Sequence, residues 1–105
     1  MARAEINSGV CGFHTSVETS MDEEGETCSI HIDSQCEAIQ RLAQVLIEVQ
    51  PFEEISFRRK TPTILALGAK FCTHAACPVP VGVIKAVEVA AGLALPRDVQ
   101  IQLTK

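Results

Sequence analysis

The sequence predicts an α+β fold: a small antiparallel sheet, made of an N-terminal hairpin and a C-terminal strand, with three helices packed on one face. Three observations carry that prediction. Apolar and polar residues alternate at 13–18, 28–33 and 99–103, the period of a half-buried strand. Between the second and third of these stretches, apolar residues recur every three or four positions in three runs, the period of a helix packed on one side. At 105 residues and 47% hydrophobic content the chain is long enough for one core, so residues 1–105 are read as a single domain.

The first two strands take Phe13, Thr15 and Val17, then Cys28, Ile30 and Ile32, as their inward sets, joined by an acidic turn around Met21 to Gly25. A turn centred near Asp22-Glu23 sets Phe13 opposite Ile32, Thr15 opposite Ile30 and Val17 opposite Cys28. That register also sets His14 opposite His31 on the polar face, a candidate metal pair, and brings Cys11 opposite Ser34. Gly9 and Gly12 flank Cys11 and predict a bulge or close backbone approach there.

Ser34-Gln35-Cys36-Glu37 has the form of a capping box, with Ser34 as N-cap, Cys36 at the second helical position and Glu37 at the third. Ile39, Leu42, Ala43, Leu46 and Val49 supply the inward stripe, and Pro51 ends the helix. A connection follows, with a short strand around Ile55–Phe57 and a basic cluster, Arg58-Arg59-Lys60, read as a solvated edge. Thr61 caps the second helix and Pro62 opens it; it runs to about Cys72. Pro78 and Pro80 hold Cys77 and Val79 extended, and Pro80 opens a third helix that Gly92 stops. Only Lys85 and Glu88 are charged along that helix, which predicts a protein partner or a homodimer through the apolar helix 80–91. The last strand, Val99-Gln100-Ile101-Gln102-Leu103, is expected beside the first.

Composition excludes several functions. No Trp or Tyr is present, only four Phe, and the net charge is -4, so no nucleic-acid partner is expected. The apolar runs are too short for a membrane span, and the first residues lack a secretory h-region, so the expected location is the cytoplasm, where thiols stay reduced. No nucleophile elbow, phosphate loop, dinucleotide fingerprint or zinc-protease helix occurs, so no catalytic residue is assigned and the chain is not expected to be an enzyme on its own.

Five cysteines remain to be explained. Cys28 alternates with Ile30 and Ile32 and reads as core. Cys11, Cys36, Cys72 and Cys77 each fall at or just beyond the end of an element, where sites are commonly built. Together they form a candidate metal set for zinc or an iron–sulfur cluster, with His74 as a possible substitute ligand. Two alternatives stay open. One is a metal-free thiol redox protein in which Cys36 or Cys77 reacts; the other is a dimeric interaction module whose cysteines only pack.

The segments Gly9-Val10-Cys11-Gly12-Phe13, Ser34-Gln35-Cys36-Glu37 and Cys72-Thr73-His74-Ala75-Ala76-Cys77-Pro78-Val79-Pro80 resemble an uncharacterised family of small single-domain proteins, a domain of unknown function, from anaerobic bacteria and archaea. The resemblance covers nearly the whole chain. It implies the same four cysteines as a set, in an oxygen-poor cytoplasm that tolerates an iron–sulfur cluster, and it implies no activity.

Overall fold

Thr15, Val17 and Thr19 alternate inward along β2 (His14–Met21), and Cys28, Ile30 and Ile32 do so along β3 (Cys28–Ser34). A computed structural model describes residues Met1–Lys105 and places these strands at the centre of a four-stranded antiparallel sheet. The outer strands are β1 (Ala2–Asn7) and the two-residue β4 (Glu48–Val49), giving the order β1-β2-β3-β4.

The register differs from the sequence expectation. Thr15 pairs with Ser34, Val17 with Ile32, Thr19 with Ile30 and Met21 with Cys28. The turn sits further along: the Asp22 N–H donates to the Thr27 carbonyl, the Asp22 carboxylate accepts from the Glu26 N–H, and Gly25 adopts φ +74°. An even displacement leaves the apolar face unchanged, so alternation alone does not separate the two registers. His14 consequently faces Asn7, and His31 faces Glu18. The expected His14/His31 pair does not form. Phe13 precedes the strand and is exposed.

The other edges carry further corrections. Ala2, Ala4 and Ile6 alternate with Arg3, Glu5 and Asn7, a period-two pattern weakened by two alanines, and this segment takes the place beside β2 that was expected for the C-terminal strand. The segment Val99–Leu103 forms no strand at all. Nor do residues 55–57, which follow a 3-10 turn at Pro51–Glu53. Helix α1 (Glu37–Val45) stops four residues before Val49, because Val49 pairs with Cys28 in the sheet.

Helices α1 and α3 (Val79–Ala90) pack on the apolar face of the sheet, and α2 (Thr63–Phe71) packs against both of them. Their buried side chains, Ile39, Leu42, Ile64, Val79, Val83, Ala86 and Val87, join Val17, Cys28, Ile30 and Ile32 in one core. Helix α3 lies against β1 and β2, so much of its apolar surface is consumed inside the chain. Its C-terminus closes as expected at Gly92, with φ +73° and the Leu93 N–H donating to the Glu88 carbonyl. Glycines set the spacing of the layers. A Cβ on Gly68 would stand 2.7 Å from Cγ of Pro80, so α2 and α3 touch there backbone to ring.

No helix is long and apolar enough to cross a membrane.

Candidate functional site

Three of the candidate cysteines share one neighbourhood. Cys36 follows β3 and is itself the N-cap of α1, two positions from where the capping box was expected. Its N–H donates to the Ser34 hydroxyl at 3.2 Å, and the Gln40 side chain donates to the Ser34 carbonyl at 2.9 Å. These contacts fix the backbone that presents the Cys36 thiol. Cys72 is the C-cap of α2; its N–H ends the helix on the Gly68 carbonyl at 2.8 Å, after which the backbone turns extended at ψ 133°. Cys77 closes a tight turn, donating its N–H to the His74 carbonyl at 3.2 Å. Pro78 is then the N-cap of α3 and Val79 its first residue, so Val79 is helical rather than extended as expected. Pro80 closes on Gly68, and α1 packs on α2, which brings the start of α1 to the end of α2.

Cys36, Cys72 and Cys77 are half-buried and pack against the edge of the core. Burial pushes the Cys72 thiol up to about 11, with neighbouring Cys77 and then Cys36 adding to the rise. Cys72 therefore stays protonated at neutral pH unless a cation compensates its thiolate. No three His, Cys, Asp or Glu side chains are arranged to hold a metal ion as they stand.

Cys11 does not pack on the core with Cys36, Cys72 and Cys77. It is exposed in the β1–β2 turn, where the Gly12 N–H donates to the Gly9 carbonyl and both glycines have positive φ, 86° and 75°. Cys28 is fully buried in mid-strand, where burial raises its thiol pKa, in keeping with a core role. His74 is exposed in the loop between Cys72 and Cys77. His14 belongs to a polar network on the open face of the sheet: its ring pairs with Asn7 at 2.8 Å and with Glu5 at 2.7 Å, and Glu5 also accepts from Ser16 and Arg3. Arg58, Arg59 and Lys60 line an open depression with Phe52, Glu53 and Ser56 that includes no cysteine.

One residue supporting the site escaped the sequence reading. Glu54 is 2% exposed, and its carboxylate accepts the N–H groups of Ile64 at 2.7 Å and Thr63 at 3.3 Å. It caps α2 in place of Thr61, with Pro62 as the backbone N-cap. A capping residue nine or ten positions upstream lies outside any local capping pattern, so no signal of that kind identifies it.

Residues 2–103 match DUF6951, a family of unknown function, and the chain belongs to that family. No curated protein and no solved structure matches it.

Proposed function

We propose that the protein is a small cytoplasmic metal- or cluster-binding protein with an accessory or carrier role, built on Cys36, Cys72 and Cys77. Cys11 supplies the fourth thiol, with His74 as its replacement. One observation carries this reading: Cys36, Cys72 and Cys77, from three different elements, pack half-buried at one edge of the core, with Cys77 and Cys36 close enough to Cys72 to raise its thiol. A half-buried thiol such as Cys72, costly to ionise alone, suits a site whose charge is balanced by a bound cation. The donors are soft, which favours zinc or iron–sulfur chemistry over magnesium or calcium. Cys72 and Cys77 stand at the two ends of one four-residue loop, the kind of pair a single ion can bridge on bonds of about 2.3 Å. The Cys11 loop joins β1 to β2 at the end of the sheet where Ser34 leads into Cys36. A bound ion would supply a cross-link between the helix ends; a cluster would add one-electron chemistry.

The test is anaerobic purification with metal quantitation and an absorption spectrum, followed by Zn2+ or Co2+ titration of the stripped protein. The expected result is about one ion or one cluster per chain, lost in Cys36→Ser, Cys72→Ser and Cys77→Ser and weakened in Cys11→Ser. Protein that is isolated without iron or zinc and takes up neither ion in titration overturns the proposal.

The contact between Cys72 and Cys77 favours a second reading, a redox dithiol. There the two thiols lose two protons and two electrons to an external disulfide and form one intramolecular disulfide. Thiol titration after mild oxidation with oxidised glutathione separates the readings. This one requires exactly these two thiols to disappear together in metal-free protein.

A further inference from the structure

The C-terminal segment carries a strand pattern with nothing to pair with. Val99, Ile101 and Leu103 alternate with Gln100 and Gln102, yet the three apolar side chains are 63%, 79% and 88% exposed. Every residue from Gly92 to Lys105 is exposed. The same molecule has a strand edge with nothing on it. β1 is an end strand, paired with β2 on one side and open on the other. An open edge of this kind templates the addition of another strand. At the far end of the sheet, β4 has two residues and cannot receive a five-residue segment.

We propose that the β1 edge receives the C-terminal segment of a second copy, so that two chains exchange Val99–Leu103 about a two-fold axis. The inference is independent of the cysteine site.

Strand direction favours a second copy over the chain's own tail. Gly82 of α3 sits against Ile6, and four residues later the Ala86 carbonyl accepts the hydroxyl of Thr19, whose strand partner is Ala2. Helix α3 therefore runs antiparallel to β1 and releases the tail near Ala2. Folding back along its own β1, the tail would run parallel to it, in a sheet whose every other pairing is antiparallel. Parallel pairing is slightly weaker per residue. A second chain is free to approach in the antiparallel sense, and a two-fold axis makes the exchange reciprocal.

The surface beyond β1 fits the segment. Ala2, Ala4 and Ile6 point toward the helices, while Arg3, Glu5 and Asn7 point to solvent. An added strand with its apolar set inward would align Val99, Ile101 and Leu103 with the first group and the two glutamines with the second. On α3, Lys85 and Val89 stand three and seven residues after Gly82, on the flank that faces past β1. Val89 is only half-buried and Lys85 is exposed, so an incoming apolar side chain finds a methyl surface and a lysine stem to cover. Six large apolar side chains at about 60–120 Å2 each, with the surfaces they cover, bury roughly 1,000 Å2 in total. That is the size of a reversible dimer rather than an obligate one.

The test is sedimentation equilibrium of the full chain between about 5 and 300 μM, with hydrogen exchange measured at both ends of that range. The expected result is a monomer–dimer equilibrium, in which the amides of residues 2–7 and 99–103 gain protection together as concentration rises. Ile101→Asp should weaken the dimer about tenfold or more, with the monomer's circular dichroism and thermal unfolding unchanged. Three outcomes overturn the proposal: a monomer throughout the range, a dimer that Ile101→Asp leaves intact, or protection of the tail without β1, which would mean that two tails pair with each other.

Discussion

Gly68→Ala tests the helix contact on which the cysteine neighbourhood is built. A Cβ at this position would lie 2.7 Å from Cγ and 3.1 Å from Cβ of Pro80. The obstacle is a ring near the start of α3, closed on its own backbone, so no rotamer change removes it. One helix must therefore move by several tenths of an ångström. Overpacking of this kind costs about 1–3 kcal/mol. Against it stands the better helix propensity of alanine, worth about 0.8–1.0 kcal/mol in a helix interior. The steric term wins, with a net loss of about 1 kcal/mol, which lowers Tm by roughly 4–8 °C in a domain of this size. Pro80→Ala removes Cγ and leaves only the 3.1 Å contact, so the double variant should lose less than the sum of the two single variants. Urea and thermal unfolding of the four proteins, stripped of metal, measure both quantities. A higher Tm in Gly68→Ala, of the size propensity alone supplies, would refute the reasoning, because it would mean that α2 and α3 do not meet at this point.

Glu54→Ala should destabilise the fold by about 1–3 kcal/mol in urea unfolding, since it strips two N–H groups at the start of α2 of a buried carboxylate. A change within experimental error would show that the cap contributes nothing. On the open face of the sheet, Ser16, His14 and Arg3 hold the Glu5 carboxyl down at about 2. A depressed folded pKa stabilises the fold at pH above the ordinary value of 4.5, and that contribution fades as pH falls through about 2. An NMR titration should find Glu5 among the last carboxylates to protonate, and Ser16→Ala should move it upward. For Cys72 the sign is opposite. Burial and its neighbours favour the neutral thiol, so its contribution is intact below pH 9.0 and is lost as pH rises through about 11. Iodoacetamide at pH 8 should therefore modify exposed Cys11 first, Cys72 far more slowly and buried Cys28 not at all. Equal rates at Cys11 and Cys72 would contradict the neighbourhood described for Cys72.

Much of the framework could be read without coordinates, because it is decided within a few residues. Period-two alternation assigned the inward faces of β2 and β3, and Gly92 ended α3, as local backbone preference requires. The end of α2 at Cys72 was legible in the same way. Where two competing local patterns were both acceptable, the sequence reading failed. Val49 suits a helix stripe and an edge strand equally, and the open edge of β3 claimed it. Val99–Leu103 has the stronger strand pattern and Ala2–Asn7 the weaker, yet the weaker one pairs, because it is joined to β2 by a short turn and lies under α3. Proximity along the chain and a helix to pack against outweighed propensity.

The cysteines divide along the same line. That Cys72 and Cys77 lie near each other follows from a four-residue loop and needs no tertiary information. That Cys36 joins them depends on α1 packing on α2, a contact between two helices separated by the 17 residues 46–62. The sequence by itself determined which residues carry thiols and that each candidate stands at the end of an element. Only the tertiary structure decided which of those ends meet, because a helix stripe or a strand face specifies that it must be buried and not what it is buried against.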